Sequence, residues 1–488
     1  MLNVRAKYED VLRVEGPLVL FTFEDDASRE WAVVDKALRG FLAGAKRSGE
    51  FSGKKEEVLL LHRPGVKASH LLVAGLGKKK ECSLEVVRRA CATAVKRLSA
   101  AHLERASIAP PEVENVNEEE VVFAVAEAAS LALYRFEKYK TEKKKEKRLT
   151  SLTVLSKEAG AVKRARIVAE AVYLMRDLQN TPGADMGPAE LARVAKRVAK
   201  TCGFSCTVWG KREIEKKKMG GLLAVNKGSS REPRFVVMKY VPKGAKRTLC
   251  LVGKGVTFDT GGVQVKPGDY MNDMQMDMSG AALVIAALQA VAKLRLNVAV
   301  IGVMGLTDNL MGNTPYLPGD VVKTMSGKTI EIGHTDAEGR VTLADSLYYA
   351  STLKPDLIVD FATLTGACMV ALGMHASGVF GTDQQAVEAL LRAGERTHDL
   401  LWQLPLFDEY SEDVKGVVGD VSNIGSADRY GGACTAAAFL KEFVGGSPWV
   451  HVDMSSAILK KEKHYKPKGG SGEPLRAVLS FLQERVTF

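Results

Sequence analysis

The stretch TLCLVGKGVTFDTGG, residues 248–262, passes from an apolar run into a loop punctuated by four glycines. TLCLVG (248–253) has the length and branched composition of a buried strand. The loop Gly253–Gly262 runs on through Lys266 to Asp277-Met278-Ser279-Gly280, and residues 279–294 read as a helix. Strand, glycine-rich loop, helix is the unit of an α/β fold, and open α/β sheets place their ligands at such junctions.

The same alternation extends in both directions. Upstream, residues 17–23, 58–62, 70–77, 152–155 and 235–241 read as strands. Residues 82–100 and 117–135 carry apolar positions at three- and four-residue spacing and read as helices. A further helix, about 158–179, ends at Asn180-Thr181-Pro182-Gly183, a strong stop, and another covers 188–201. The expected fold is α/β in two domains. A smaller N-terminal α/β domain (1–157) leads through a linking helix (158–179) to a larger domain (180–488), built on a central mixed sheet flanked by helices.

Composition narrows the class. The chain has 488 residues, 46% hydrophobic and 26% charged, which excludes a disordered chain, a fibre and a disulfide-stapled miniprotein. At roughly 100–200 residues per domain, its length suggests two to four domains. The net charge of +11 is unevenly spread. Residues 1–250 hold 49 Lys+Arg against 31 Asp+Glu, and residues 251–488 hold 20 against 27. A basic half can bind polyanions or only solvate the protein. The run Lys138–Arg148 (KYKTEKKKEKR) is such a charge run, read as a solvated segment rather than a phosphate-binding patch. The seven cysteines form no zinc or disulfide framework and read as reduced thiols. The N-terminus has no signal-type apolar core, and the most apolar stretch, Ala281–Ala292, is short of the ~20 residues that span a bilayer. A cytoplasmic protein without a membrane anchor is expected.

Two loops of the acidic half carry the chemistry. The second is Gly333-His334-Thr335-Asp336-Ala337-Glu338-Gly339-Arg340, ahead of a helix expected at 341–353. Asp259, Asp277, Asp336 and Glu338 lie in these tightly turning segments. Four carboxylates brought together without partners repel one another and rise in pKa, a conflict that divalent cations resolve. Oxygen-rich ligation suits Mg²⁺, Mn²⁺ or, with few ligands, Zn²⁺. Two such ions about 3.5–4 Å apart form the usual two-metal hydrolytic site. Lys254, Lys266 and Arg340 share the loops and can neutralise a developing oxyanion. Any one of these acids alone is equally well a helix cap or turn former; the two loops together require more.

The segments VGKGVTFDTGG, MDMSGAA and TDAEGR resemble the leucyl (cytosol) aminopeptidase family of two-metal exopeptidases. The similarity continues through MGGLLAVNKGS (219–229), ATLTGA (362–367), PLF (405–407), ACTAAAFLKEFV (433–444) and WVHVD (449–453). It is dense over 176–455 and faint before 150. The resemblance implies a metallo-aminopeptidase whose 180–488 domain is catalytic, with two divalent metal ions, Mn or Zn, per subunit. Lys254, Asp259, Asp277 and Glu338 would hold the tighter ion, and Asp259, Asp336 and Glu338 the more exchangeable one. It implies catalytic roles for Lys266, which would polarise the scissile carbonyl, and for Arg340, which would hold a bicarbonate ion. It implies that Met274, Thr363, Leu364 and Gly366 line the substrate site, that the substrates are peptides with a free N-terminus, and that the assembly is a homohexamer.

The chain departs from the family pattern at several places. His334 stands where Asn is usual, the loop Thr307–Asp320 is atypical, Met454-Ser455-Ser456-Ala457 replaces smaller residues, and 459–473 is rich in lysine. These bear on substrate and metal preference. Three other readings stay open at this point. One is a narrow cysteinylglycine-type dipeptidase. Another is a DNA-binding protein with secondary peptidase activity, although no nucleic-acid-binding motif is present. The third is a two-metal phosphoesterase.

Overall fold

The structure is a computed structural model that describes residues 1–142, 147–426 and 430–484. Lys143–Glu146 of the charge run therefore lie outside the described residues. The chain divides into two compact units: Met1–Tyr173 with Lys461–Lys468, and Leu174–Lys460 with Gly469–Phe488. The division falls inside the helix Ala159–Asn180. The lysine-rich segment 461–468 belongs to the first unit, where the Tyr465 hydroxyl donates to Glu85 Oε2 at 2.8 Å.

The first unit is built on six strands: β1 (Asn3–Ala6), β2 (Leu18–Thr22), β3 (Val58–His62), β4 (His70–Gly75), β5 (Arg105–Ile108) and β6 (Ser151–Val154). Their order is β1-β6-β5-β2-β4-β3, parallel except for the β3–β4 hairpin. β1 and β5 are four-residue strands with alternating burial, too short for the apolar pattern to reveal.

The second unit holds an eight-stranded mixed sheet. Its strands are β7 (Ser205–Trp209), β8 (Arg234–Tyr240), β9 (Thr248–Asp259), β10 (Ala299–Asn309), β11 (Leu357–Ala362), β12 (Ser377–Gly381), β13 (Leu401–Gln403) and β14 (Trp449–Asp453), in the order β13-β12-β14-β11-β9-β10-β8-β7. The four central strands, β14, β11, β9 and β10, run parallel, so their C-terminal ends open on one edge. β8 pairs antiparallel to both β7 and β10, and β12 pairs antiparallel to β14 but parallel to β13.

The strand at 248 does not stop at Gly253. It continues to Asp259, so the first half of the expected glycine-rich loop is strand. Two glycines explain the packing above it. A Cβ on Gly253 would lie 2.5 Å from the Gly280 carbonyl oxygen, and one on Gly280 would lie 2.0 Å from the Phe361 carbonyl oxygen. Only glycine lets the helix Ser279–Leu294 press onto β9 and β11 this closely. That helix is apolar on every face, as a core helix must be. By length and composition alone, Gly268–Leu294 would pass as a membrane span, although its α-helix covers only Ser279–Leu294. However, 78% of its most apolar window is buried inside the chain.

The 333–340 segment follows a strand of a separate three-stranded sheet, Thr329–Glu331, rather than a strand of the central one. Its helix starts at Glu338, three residues earlier than expected.

Candidate active site

The ends of β9, β10, β11 and β14 converge with the turn ahead of helix Glu338–Thr352. Asp259 ends β9, Asn309 ends β10, and Asp453 ends β14. A register shift between Thr307 and Asn309 sets Asn309 beside Asp259. Its amide Nδ2 donates to Asp259 Oδ1 at 2.8 Å and to the Thr335 carbonyl at 3.0 Å, which ties the two loops together. The Tyr316 hydroxyl, buried in the atypical loop, donates to the same carbonyl at 2.6 Å. Neither residue was singled out from sequence. The polar run Thr307-Asp308-Asn309 closing an apolar strand is the signal that was available.

The four carboxylates come together. Oxygens of Asp259, Asp336 and Glu338 all lie within 4.8 Å of one another. Lys254 Nζ joins Asp277 Oδ2 and Glu338 Oε1, each at 2.8 Å, and donates to the Thr363 carbonyl at 2.9 Å. Lys266 Nζ sits 2.7 Å from Asp259 Oδ2 and 2.5 Å from Asp336 Oδ1. Asp259 Oδ1 accepts from Gly261 N at 2.8 Å, and Asp277 Oδ1 accepts from the Thr363 hydroxyl at 2.7 Å. The Gly261 and Gly262 backbones are left-handed, which suits glycine and turns the chain back towards Lys266.

The electrostatics follow from this crowding. Burial, with the charges of Glu338 and Asp259 added and Lys254 opposing, pushes Asp277 up to about 7. Burial and Asp259 raise Glu338 to about 7, and burial and Asp259 raise Asp336 to about 6. Burial pulls both lysines down, but the surrounding carboxylates outweigh it and hold Lys254 and Lys266 above the ordinary lysine range. Burial lowers Arg340 to about 10, with Glu338 and Asp453 opposing.

A cation fits this set. Four carboxylates face two ammonium groups, which leaves an excess of negative charge. The Lys254 ammonium meets Asp277 Oδ2 and Glu338 Oε1, and that of Lys266 meets Asp336 Oδ1, so two cations already serve these oxygens. Carboxylate oxygens of Asp259, Asp336 and Glu338, drawn from two loops to within 4.8 Å of one another, are a donor set that a divalent ion can use.

A cavity of about 220 Å³ opens beside the cluster, bordered by Asp336, Arg340, Leu364, Gly366, Ile424 and Thr435 among others. Four of the sequence-selected residues, Asp336, Arg340, Leu364 and Gly366, thus border this cavity. Thr363 instead contacts Lys254 and Asp277, and Met274 lies on the short 3₁₀ turn Met274–Met276 that leads into Asp277. His334 Nδ1 accepts from Asp336 N at 3.1 Å, holding the turn as an Asn carbonyl would. Asn423 holds the same turn, accepting from Gly333 N at 2.7 Å and donating to the His334 carbonyl at 2.7 Å.

An α/β unit that gathers carboxylates and lysines at its strand ends, beside a small cavity, defines a metallohydrolase centre. The chain belongs to the cytosol aminopeptidase family: the family's catalytic domain matches residues 173–479 and its N-terminal domain residues 19–143. By that membership it is a metallo-aminopeptidase. The probable cytosol aminopeptidase of Aquifex aeolicus (strain VF5) is 40% identical over 492 residues, 99% of this chain and 98% of that protein. That of Roseiflexus castenholzii is 42% identical over 448 residues, 89% of this chain and 91% of that protein. Among solved structures, a tomato leucine aminopeptidase mutant superposes with a TM-score of 0.89 at 29% identity, covering 99% of this chain and 97% of that one. The bottromycin maturation enzyme BotP gives 0.87 at 33% identity, covering 97% and 99%. BotP in complex with Mn is similar at 0.86, 32% identical, covering 97% of this chain and 99% of that one.

Proposed function

We propose that this aminopeptidase releases the N-terminal residue of peptides through a centre for two divalent cations, Mn²⁺ or Zn²⁺. Lys254, Asp259, Asp277 and Glu338 would hold one, and Asp259, Asp336 and Glu338 the other. When bound, such ions supply an ionised water at neutral pH and polarise a carbonyl. Lys254 must lose its proton to serve as a ligand, so binding is linked to proton release. Lys266 Nζ turns from Asp259 and Asp336 to donate to the scissile carbonyl oxygen as it becomes an oxyanion. Arg340 would hold a bicarbonate ion, which would supply a proton acceptor. Met274, Thr363, Leu364 and Gly366 border the substrate's first residue and its amine. The products are the free amino acid and the shortened peptide.

The observation that carries this reading is the convergence of Asp259, Asp336 and Glu338 oxygens within 4.8 Å of one another, with Asp277 joined to Glu338 through Lys254. The test is Mn²⁺-dependent release of N-terminal residues from a panel that includes Leu-amide and Cys-Gly, comparing wild type with Glu338→Ala. Loss of metal content and activity is expected. Full retention of both would make the two-metal assignment wrong, and turnover confined to Cys-Gly would make the enzyme a narrow dipeptidase. A homohexamer in the cytoplasm belongs to the same reading. A monomer mass by light scattering would remove the hexamer.

A further inference from the structure

We propose that Asp453 is a positioning residue for this centre, one that sets Lys254 and Asp277 through the turn at the end of β11. The inference rests on the metal-centre reading above and adds a residue to which that reading gives no role.

Asp453 is the last residue of β14, in register with Ala362, the last residue of β11. Its carboxylate is 1% exposed. Oδ1 accepts from Leu364 N at 3.1 Å and Thr365 N at 3.3 Å, and Oδ2 accepts from the Thr365 hydroxyl at 2.6 Å. Both oxygens are thus spent on the two residues that follow Thr363. The Thr365 hydroxyl in turn accepts from Cys368 N at 3.0 Å and caps helix Gly366–Leu372. With the turn held on its far side, Thr363 points both its polar groups at the centre. Its carbonyl accepts from Lys254 Nζ at 2.9 Å, and its hydroxyl donates to Asp277 Oδ1 at 2.7 Å.

Lys254 and Asp277 come from different segments, and Thr363 is the group seen to bond both. A shift of the turn moves both together. Earlier along β14, side chains tie the same two strands together. His451, two residues earlier on the same face of β14, places Nδ1 2.7 Å from Asp360 Oδ1, and Trp449 Nε1 donates to Asp360 Oδ2 at 2.7 Å. All three are fully buried. A buried carboxylate is costly to desolvate, and one bonded to backbone N–H groups gives a stronger and more directional anchor than a neutral acceptor.

The test uses the full-length protein with Asp453→Leu and Asp453→Asn. Mn²⁺ binding is followed by titration calorimetry, together with kcat, KM and the thermal midpoint. Groups that orient metal ligands from behind typically cost about 10- to 100-fold in metal affinity or activity when removed. Asp453→Leu is expected to weaken Mn²⁺ binding by about that factor and to lower kcat more than it raises KM. Asp453→Asn keeps a carbonyl for the Leu364 and Thr365 N–H groups and is expected to restore most of the affinity. If the leucine variant does not fold, Thr365→Val removes the 2.6 Å bond together with the cap on Cys368 N and should weaken Mn²⁺ binding, with Thr365→Ser restoring both bonds and the affinity. Wild-type Mn²⁺ affinity and kcat in the folded variants, with only the thermal midpoint lowered, would overturn the proposal. Glu338→Ala separates the two levels. If it too leaves Mn²⁺ binding intact, the metal-centre reading fails; if it alone abolishes binding, only the role of Asp453 fails.

Discussion

Replacing Lys266 with methionine tests whether its ammonium serves the reaction or only holds carboxylates. The side chain keeps its length and loses its charge. In the structure Nζ touches Asp259 and Asp336 at 2.7 and 2.5 Å. At an effective dielectric of about 20, a unit pair at 2.7 Å is worth about 6 kcal/mol before desolvation. Taking an ammonium out of water offsets much of that. Asp259 keeps its bonds from Gly261 N and Asn309 Nδ2, so the turn is not left without support. What the variant loses without replacement is the donor to the developing oxyanion. One such donor is worth about 10²–10³ in kcat, or about 2.7–4 kcal/mol. The expected result is a kcat lower by that factor for release of an N-terminal leucine. Mn²⁺ affinity by calorimetry should be unchanged or tighter, because a competing cation has left the carboxylates. A kcat within about threefold of wild type would refute the oxyanion role. A parallel collapse of Mn²⁺ affinity and kcat would make Lys266 a structural counter-ion instead.

Three further outcomes follow from the same geometry. Asp277 and Glu338, raised to about 7, and Asp336, raised to about 6, share their site with protons; Mn²⁺ affinity should therefore climb from pH 6 to pH 8 with proton release, and calorimetry in buffers of different ionisation heat showing no released proton would contradict it. Asp345 is buried and raised to about 7 by desolvation, against the bonds it accepts from Met325 N and Leu222 N. A raised acid stabilises the fold below its unfolded value near 4 and loses that contribution as pH rises through 7; the stability of wild type relative to Asp345→Asn should therefore fall across that window in urea melts, and a flat difference would refute the shift. A Cβ on Gly366 meets open space, so Gly366→Leu should fold normally, fill the cavity of about 220 Å³ and raise KM for bulky substrates about tenfold or more, whereas an unchanged KM would remove the cavity from the substrate path.

The sequence was most legible where chemistry and periodicity agree. Asp259, Asp277, Asp336, Glu338, Lys254 and Lys266 are all brought into one cluster, because their segments flank strand ends and helix starts that the apolar pattern already marks. The helices 82–100, 117–135 and 188–201 appear at Leu84–Ala100, Glu118–Ala132 and Pro188–Cys202. The length of β9 was misjudged for a physical reason. GKGVTFD looks like a loop by its glycines, but Gly253 and Gly255 sit in the strand because neighbouring backbone leaves no room for a Cβ. Asn309, Tyr316 and Asp453 were missed because each acts through a partner far away in sequence. Their side chains bond Asp259, Thr335 and Thr365, and only the pairing of β9 with β10 and of β11 with β14 brings them there.

The negative balance of residues 251–488 first suggested a carboxylate-rich site, and the buried acids of this unit sharpen that argument. Asp360 has His451 on one oxygen and Trp449 on the other. Asp399 has Arg476 on both, Asp345 has a backbone N–H on each, and Asp453 has the Leu364–Thr365 turn. Asp308 has Thr257 on one oxygen and Ser229 with Arg231 on the other. In these five, burial is matched by a donor for every oxygen, as an acid retained for structure requires. Asp277, Asp336 and Glu338 differ: an oxygen of each is met by an ammonium, that of Lys254 or of Lys266. In one place each acid stands with its own donors; in the other, carboxylates from two loops crowd round two ammonium groups. Packing alone gives no reason for that crowding, whereas the cation site proposed above does.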